Sequence, residues 1–464
     1  MTDASTTVRV AQGRLAGVAS ADRRVRAFKD IPYARPPVGH LRWRPPQPPP
    51  PWDGVRAADA FGANAPQLPV VANSLYAGGH DHQSEDCLTL NVWTPAEAAD
   101  ERLPVMVWFH YGAFQFGGAS LPLYDGGRLA RAGAVVVTVN HRLGRLGFLS
   151  HPELSAESPH GASGNYGIHD QIEALRWLAD NVRSFGGDPD RVTIFGQSAG
   201  SMSVSLLIAS PLARGLFHRA IAQSGALLGP VGASSEMTDS MQDLEHAERT
   251  GLALAHSLRA ATIDELRSRS PQEIMLAPLP LGADRWQFDA VDAPFSRGAL
   301  DGAFPCVDGF LLPKSPHAIF GEHGQAPVPL ITGSVAGEAS GMPYMTDAAS
   351  FIADARAQYG AQADEFLELF PAGDDEQARI SSATANGDRV FVFQNWVLAQ
   401  LHSSRAPTYY YHFGHEPPLP ARADIAERSL GAFHGAEIPY VFRNLEVRDW
   451  PWPLGSPLRA KFTQ

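Results

Sequence analysis

The amino-acid sequence predicts an α/β fold in which a central, mostly parallel sheet is flanked by helices on both faces. Three observations carry this prediction. Short apolar runs recur along the middle of the chain, segments with helical spacing separate them, and the runs show no alternation of polar and apolar residues. The first two runs are Val105–Phe109 and Ala134–Val139. Because a strand without alternation is buried on both faces, such runs are typical of a parallel sheet covered by helices.

The later elements continue the same pattern. Apolar residues at helical spacing predict a helix from Gln171 to Phe185. The third strand, Arg191–Phe195, leads into a second helical stretch from Ala199 to Ile208. In a sheet of this kind the active site lies at the carboxyl ends of the strands, so the residues after each strand are the candidates for function. The remaining predicted strands are Arg219–Gln223, Val328–Thr332 and Thr408–Phe413.

Composition and charge exclude several classes of protein. The chain has 464 residues, of which 44% are hydrophobic, and a net charge of −12 at pH 7. This supports a large core, and the negative charge argues against a nucleic-acid or anionic-membrane surface. Two cysteines do not make a disulfide scaffold. Because we find no apolar core of signal-peptide length and no apolar run near the roughly 20 residues of a membrane span, we expect a cytoplasmic protein.

We expect residues 1–464 to form one domain. Residues 235–300 and 345–400 look mainly helical and carry more charge than the predicted strands, and neither segment is flanked by a flexible linker. We therefore interpret both as helical insertions around the opening of the active site.

The third strand is followed directly by Gly196-Gln-Ser-Ala-Gly200, a G-x-S-x-G motif between a strand and a helix. In that setting a sharp turn exposes the hydroxyl of Ser198 at the top of the sheet. The flanking glycines are needed because a β-carbon there would clash with the neighbouring helix and strand. The motif predicts that Ser198 is a catalytic nucleophile, and an ordinary glycine-rich turn is the alternative.

A serine nucleophile needs a base within hydrogen-bond reach and an acid that orients the base. In sheets of this type the acid and then the base follow the serine along the chain. Glu338 lies in the loop after the fifth predicted strand, and His415 and His434 follow the sixth. His415 precedes Glu-Pro-Pro, which suits a surface turn. The Phe-His-Gly setting of His434 favours a tight functional loop. The local sequence therefore favours His434 as the base but does not exclude His415.

Hydrolysis of an ester also requires N–H donors for the developing oxyanion. One candidate is the backbone amide of Ala199, directly after the nucleophile. The loop after the first strand offers Gly112 and Ala113, which are small enough to let their amides face a substrate. A simple strand-to-helix connection is the alternative for this loop.

Several longer segments between residues 13 and 442 resemble those of a known family and follow one another in the family's order. They include Phe28-Lys-Asp-Ile-Pro-Tyr-Ala-Arg-Pro-Pro37, Ser84-Glu-Asp-Cys-Leu-Thr-Leu-Asn-Val92, Gly164-Asn-Tyr-Gly-Ile-His-Asp-Gln171 and His434-Gly-Ala-Glu-Ile-Pro-Tyr-Val-Phe442. With these segments the chain resembles the type-B carboxylesterases, which include the cholinesterases and the bacterial p-nitrobenzyl esterases. The resemblance implies an α/β-hydrolase fold and hydrolysis of carboxylic esters. It also implies Glu338 as the acid and His434 as the base, with oxyanion donors at Gly112, Ala113 and Ala199.

The sequence departs from the family pattern at four places. The family's Gly-Gly-Gly after the first strand is here Tyr111-Gly-Ala113. Neutral Gln197 stands where the family usually has Glu, which disfavours cationic choline-type esters and favours neutral or anionic ones. Cys87 keeps a family position whose usual partner corresponds to Ala65, so we expect a free buried thiol. The C-terminal segment is also short for the family.

These features together predict a serine carboxylesterase that acts on a small-molecule ester through an acyl-enzyme, without a metal or an organic cofactor. A specialised esterase for a bulky or polyacid ester, such as a mycotoxin, is a second interpretation. A catalytically inactive, adhesion-type member is a third, and the presence of a serine, a glutamate and a histidine at the three positions argues against it. Neither the natural ester nor the oligomeric state follows from the sequence. The residues expected to line the substrate pocket, with core packing as the alternative for the rings, are Tyr111, Phe114, Phe116, Gln197 and Ser224.

Overall fold

A sheet of nine strands, counted in the residues that the structure describes, forms the centre of the protein. The computed structural model describes residues 6–69, 82–228, 241–278, 303–339, 345–418 and 431–446. The strands in these ranges, in chain order, are β1 Thr7–Val10, β2 Gly13–Ala16, β3 Val18–Ala19, β4 Arg26–Pro32, β5 Val55–Ala57, β6 Thr89–Thr94, β7 Leu103–Phe109, β8 Val135–Val139, β9 Gly187–Gln197, β10 Arg219–Gln223, β11 Gln242–Asp243, β12 Cys306–Val307, β13 Leu330–Val335 and β14 Thr408–Phe413.

The large sheet has the order β14-β13-β10-β9-β7-β8-β6-β4-β3. Its six strands from β14 to β8 pair in parallel, and they are the six strands predicted from the apolar runs. The strands β6, β4 and β3 extend the sheet with antiparallel pairs. The mostly parallel sheet is therefore confirmed, and three antiparallel strands at one edge are an addition that the apolar runs do not predict.

Helices connect the strands. They are α1 Gly127–Ala130, α2 Gly144–Phe148, α3 Pro152–Glu157, α4 Tyr166–Asn181, α5 Ala199–Ala209, α6 Leu244–Ser257, α7 Ile263–Arg267, α8 Pro271–Leu276, α9 Pro316–Gly321, α10 Ala348–Tyr359, α11 Ala363–Leu369, α12 Asp375–Gly387, α13 Phe393–Ser403 and α14 Ile438–Val441. Short 3₁₀ turns lie at Gly39–Leu41, Pro122–Tyr124, Val182–Phe185, Pro211–Ala213 and Gly360–Gln362, and a π-helical turn lies at Asp388–Val392.

The sheet is buried on both faces, as its apolar strands require. All five residues of β8 are buried. Val135 and Val137 pack in one apolar cluster, while Val136 between them packs in another with Trp108 and Phe195. Because successive side chains of a strand point to opposite faces, the two clusters lie on the two sides of the sheet. The central helix α5 is buried along its whole length.

Two predicted helical regions contain helices where the structure describes them. Residues 241–278 hold α6, α7 and α8, while residues 235–240 and 279–300 lie outside the described residues. Residues 345–403 hold α10 to α13 with the π-helical turn between the last two. The helix predicted from Gln171 begins earlier, at Tyr166, because Asn165 with φ 50° closes the preceding turn. Cys87 is buried and unpaired, as expected.

Candidate active site

Ser198 forms the whole turn between a strand and a helix. β9 ends at Gln197 and α5 begins at Ala199. The backbone of Ser198 has φ 56° and ψ −123°, a conformation that costs free energy for a residue with a β-carbon and persists only where its surroundings hold it. The Ser198 amide is held by a hydrogen bond of 2.9 Å to the carbonyl of Gln223. This is the strand-turn-helix geometry that the motif predicts for a nucleophile.

The glycines on either side of this turn are required by close contacts. A β-carbon at Gly196 would lie 2.4 Å from the carbonyl carbon of Gly200. A β-carbon at Gly200 would lie 2.0 Å from the carbonyl oxygen of Phe109 in β7. Both distances are shorter than any real contact of a β-carbon, so the turn can pack between the helix and the sheet only with glycine at both positions.

Glu338 and His434 form a buried hydrogen-bonded pair. Nδ1 of His434 lies 2.6 Å from Oε2 of Glu338. The other carboxylate oxygen accepts a hydrogen bond of 3.0 Å from the amide of Val335 at the end of β13. The loops that carry the pair are also joined, because the amide of Gly337 donates to the carbonyl of Ala432 at 2.9 Å. The acid and the base predicted from the sequence therefore lie side by side.

The hydrogen-bond partners define the tautomer of His434. Ionised Glu338 can only accept, so Nδ1 carries the proton that joins the two residues. Nε2 is then an acceptor, and the side-chain amide of Gln197 lies 3.0 Å from it. Gln197 thus contacts the ring nitrogen of His434 that would accept a proton if His434 acts as a base. Sequence reasoning selected Gln197 for its missing charge and did not foresee this contact, although its position beside Ser198 was a signal.

His415, the alternative base, lies elsewhere. It is exposed, and its ring packs edge-on against Tyr440 at 5.3 Å and against Phe413 at 6.3 Å. The carboxylate of Glu338 is occupied by His434 and Val335. His415 is therefore a surface residue beside the end of β14.

The loop after β7 has an unusual backbone. Gly112, Ala113 and Phe114 have φ values of 121°, 51° and 59°. Gly112 is needed both for its φ and because a β-carbon there would lie 1.8 Å from the carbonyl oxygen of Phe116. Among the described residues, the amides of Gly112, Ala113 and Ala199 donate to no acceptor. Positive-φ turns that leave successive amides free are typical anion-binding geometries.

The predicted pocket residues are all buried. Tyr111 and Phe116 pack 6.1 Å apart, and Tyr111 also meets Tyr124 at 5.6 Å in the cluster around Trp108. Phe114 packs edge-on against Phe148 at 5.2 Å. The rings thus have the core contacts that were the alternative to pocket lining, and their contact with a substrate stays a prediction. Ser224, with φ 53°, is buried one residue after Gln223 and close to the turn at Ser198.

A second buried glutamate, which sequence reasoning missed, lies near the pair. Glu437 is fully buried, and one of its oxygens accepts a hydrogen bond of 3.1 Å from the side-chain amide of Gln223. Burial, and then the negative charge of Glu338, raise the pKa of Glu437 from 4.5 to about 7. The spacing His434-Gly-Ala-Glu437 was the available signal, because two residues so close in the chain lie near each other in the fold.

We expect Glu437 to make stability depend on pH. Its pKa is higher in the fold than in the unfolded chain, so stability falls as pH rises from about 4.5 to about 7 and the loss is complete above that range. The cost is about 3 kcal/mol, from roughly 1.4 kcal/mol per pKa unit. Glu437→Gln removes this dependence. The urea midpoint of the variant minus that of the natural chain should therefore increase from pH 4.5 to pH 8. The exposed Glu368→Gln is the matched control, and an equal pH effect in both variants would contradict the expectation.

No described helix is long and apolar enough to cross a membrane. Among the residues that the structure describes, no group of three or more His, Cys, Asp or Glu is arranged to hold a metal ion.

The chain matches a known protein family. Residues 4–450 match the carboxylesterase family. The chain belongs to the carboxylesterase family. It is 37% identical over 434 residues to the fumonisin B1 esterase of Sphingopyxis macrogoltabida. The matched region covers 91% of this chain and 72% of that relative. It is 36% identical over 432 residues to the para-nitrobenzyl esterase of Bacillus subtilis strain 168, with 91% and 80% covered.

Solved structures agree with this membership. A PNB esterase structure superposes with a TM-score of 0.79 at 30% identity, over 99% of the chain and 88% of the other. A thermophilic PNB esterase superposes with a TM-score of 0.76 at 33% identity, over 96% and 85%. The α/β-hydrolase fold implied by the sequence resemblance is thus confirmed, and this carboxylesterase-family chain is a carboxylic ester hydrolase.

Proposed function

We propose that the protein is a serine carboxylesterase in which Ser198 is the nucleophile, His434 the base and Glu338 the acid. The observation that carries the proposal is the buried 2.6 Å hydrogen bond between Glu338 and His434, formed beside the turn that presents Ser198. A histidine held in one tautomer by a buried carboxylate, near a serine on a strained turn, is the arrangement that activates a serine hydroxyl.

The reaction proceeds in two steps. His434 takes the proton of Ser198 at Nε2 as the serine oxygen bonds to the ester carbonyl carbon, and it then gives that proton to the leaving alcohol. Water repeats the sequence on the acyl-enzyme and releases the acid. Glu338 keeps the proton of His434 on Nδ1 and stabilises the imidazolium while it carries both protons. The side-chain amide of Gln197 contacts Nε2 in the free enzyme. During the proton transfer it shares Nε2 with the serine hydroxyl or moves away from it.

The oxyanion of each tetrahedral intermediate is bound by backbone amides in this proposal. The donors are Gly112, Ala113 and Ala199, whose N–H groups have no acceptor among the described residues. Each strong donor of this kind contributes about 3–4 kcal/mol to stabilisation of the transition state. Ala199 adds the N-terminal end of α5, where the helix dipole favours negative charge.

The substrate class is a small-molecule ester whose acyl group is neutral or anionic. Gln197 brings no negative charge to the edge of His434 that it contacts, so nothing at this position attracts a cationic ester. A second candidate function is hydrolysis of a bulky or polyacid ester, and the likeness to a fumonisin B1 esterase at 37% identity supports it. The presence of Ser198, Glu338 and His434 supports an active enzyme over an inactive member of the fold.

Initial rates on matched p-nitrophenyl esters test the proposal. The full chain should hydrolyse p-nitrophenyl acetate and butyrate with saturation kinetics. Comparison of butyrate with the monoanionic glutarate ester separates the candidates, because a polyacid esterase should prefer glutarate and a general carboxylesterase should not. Absence of hydrolysis above the buffer rate for all three esters would contradict the proposed function.

Gln197→Glu should change the charge preference of the enzyme. A carboxylate at this position attracts a cationic acyl or alcohol group and repels an anionic one. We expect the ratio of kcat/KM for a choline ester to kcat/KM for its neutral isostere to rise about tenfold, an interaction of about 1.4 kcal/mol. Gln400→Glu makes the same charge change on the surface of α13 and should leave the ratio unaltered. An unchanged ratio in Gln197→Glu would argue against a role for this residue in selectivity.

A further inference from the structure

The base His434 has a neighbour that the reaction scheme does not use. The ring of Phe391 stacks on the imidazole of His434 with centroids 4.1 Å apart and planes 27° from parallel. Both rings are buried, so the contact is shielded from water. Phe391 lies in the π-helical turn Asp388–Val392, which joins α12 and α13 into one continuous helical segment. π-Helical turns inside helices are rare and occur frequently at functional sites.

The same helical segment touches the loop that carries Glu338. Gly387, the last residue of α12, packs so closely that a β-carbon there would lie 2.9 Å from the carbonyl carbon of Glu338 and 2.8 Å from the amide nitrogen of Ala339. Gly387 has ordinary helical dihedral angles, so the backbone does not require glycine at this position. Glycine is required instead by the close approach of this position to the loop that carries Glu338.

The segment also touches the turn that carries Ser198. Oδ1 of Asn395 accepts a hydrogen bond of 2.7 Å from the amide of Gly225, and Nδ2 donates to Oγ1 of Thr332 at 2.7 Å. Gly225 in turn packs against the nucleophile, since a β-carbon there would lie 2.6 Å from the carbonyl oxygen of Ser198. Asn395 therefore connects the helix to the segment directly after β10 and to the middle of β13.

The spacing of the three contacts explains the π-helical turn. Gly387, Phe391 and Asn395 follow one another at four-residue steps. In an α-helix each such step rotates a side chain by about 40°, so a stripe of contacts drifts around the helix. A π-helical turn adds a residue to the turn and takes back part of that rotation. The three residues can therefore all face the same wall of the active site.

From this geometry we propose that Phe391 is a positioning residue for the base, and this inference rests on the proposed function. The contacts of Nδ1 with Glu338 and of Nε2 with Gln197 hold the two ring nitrogens, but they leave the ring free to tilt about the line between these atoms, because the χ2 torsion of histidine is broad. The face of Phe391 removes this freedom. Nε2 is then held in the plane in which it must receive the proton of Ser198.

The test compares variants that keep or remove the flat ring. Phe391→Leu should lower kcat for p-nitrophenyl butyrate by about tenfold to a hundredfold, the loss expected from misplacing a catalytic group, with KM changed less than about twofold. Phe391→Tyr keeps the ring and should stay within about threefold of the natural chain. Phe393→Leu, two residues further on at an exposed position, is the matched control and should change neither constant.

Two further measurements distinguish positioning from general destabilisation. Gly387→Ala suits a helix better than glycine but pushes on the loop of Glu338, so kcat should fall although helix propensity improves. The downfield proton resonance of the His434 Nδ1–H should broaden in Phe391→Leu and stay sharp in Phe391→Tyr. If Phe391→Leu does not fold, Phe391→Met replaces it in the same comparison.

The outcomes separate the inference from the proposed function. If the natural chain does not hydrolyse esters, the proposed function fails. If it does, and Phe391→Leu keeps kcat within about twofold of the natural chain or Phe391→Tyr falls as far as Phe391→Leu, the positioning role is overturned.

Discussion

Ser198→Ala is expected to lower kcat for p-nitrophenyl butyrate by about 10⁴-fold or more, because in the proposed mechanism Ser198 forms the acyl-enzyme. The fold should survive, since alanine has the same β-carbon as serine and meets the same backbone strain at φ 56°. Any rate that remains is expected to come from binding and from the proposed oxyanion donors. KM should change little, because the hydroxyl contributes mainly to the transition state.

Ser205→Ala is the matched control for this variant. Ser205 lies in the same helix, and its hydroxyl donates to the carbonyl of Met202 at 2.8 Å, away from the turn. Its kcat should remain within about twofold of the natural chain. A Ser198→Ala enzyme that retained more than a tenth of the natural rate would remove the nucleophile from the proposed mechanism.

His434→Ala is the second change with a large expected effect. Without the base, the serine proton has no acceptor and Glu338 loses its buried partner, so kcat should also fall by about 10⁴-fold. Because the serine and the base act as a unit, the double variant with Ser198→Ala should be no slower than either single variant. Rates of the two single variants and the double variant on one ester measure this lack of additivity.

His415→Ala is the natural comparison, because the residues alone left His415 open as the base. It is exposed and lies against Tyr440, so its removal should change kcat less than about twofold. Loss of turnover in His415→Ala with an active His434→Ala enzyme would reverse the assignment of the base.

Local signals predict the turn at Ser198 well. The strand, the glycines and the helix lie within one short stretch, and the structure ends β9 at Gln197 and begins α5 at Ala199. The parallel strands are equally predictable, because burial on both faces leaves a continuous apolar run such as β8.

The antiparallel edge is less predictable. β4, Arg26–Pro32, contains charged residues and a proline, and it is a strand because it pairs with the fully buried β6. A register shift between Phe28 and Ile31 also interrupts its pattern. Tertiary pairing, rather than local propensity, decides such a segment.

Contacts between distant segments account for what sequence reasoning missed in the site. Glu338 and His434 are 96 residues apart, and the residues alone did not choose between two histidines. Nothing in the sequence around Phe391 indicates that its ring lies on His434, because that contact depends on where a π-helical turn falls. The rings of Tyr111 and Phe116 pack in the cluster around Trp108, and whether they also line the substrate pocket stays a prediction.

Covalent labelling tests the central claim most directly. The full chain is treated with a fluorophosphonate, which reacts with an activated serine hydroxyl, and is analysed by intact mass and peptide mapping while residual activity is followed. The proposed mechanism predicts one adduct per chain, on the peptide that contains Ser198, with loss of activity in proportion to labelling and slow labelling in His434→Ala. Full turnover after complete modification of Ser198, or loss of activity with the adduct on another residue, would contradict it.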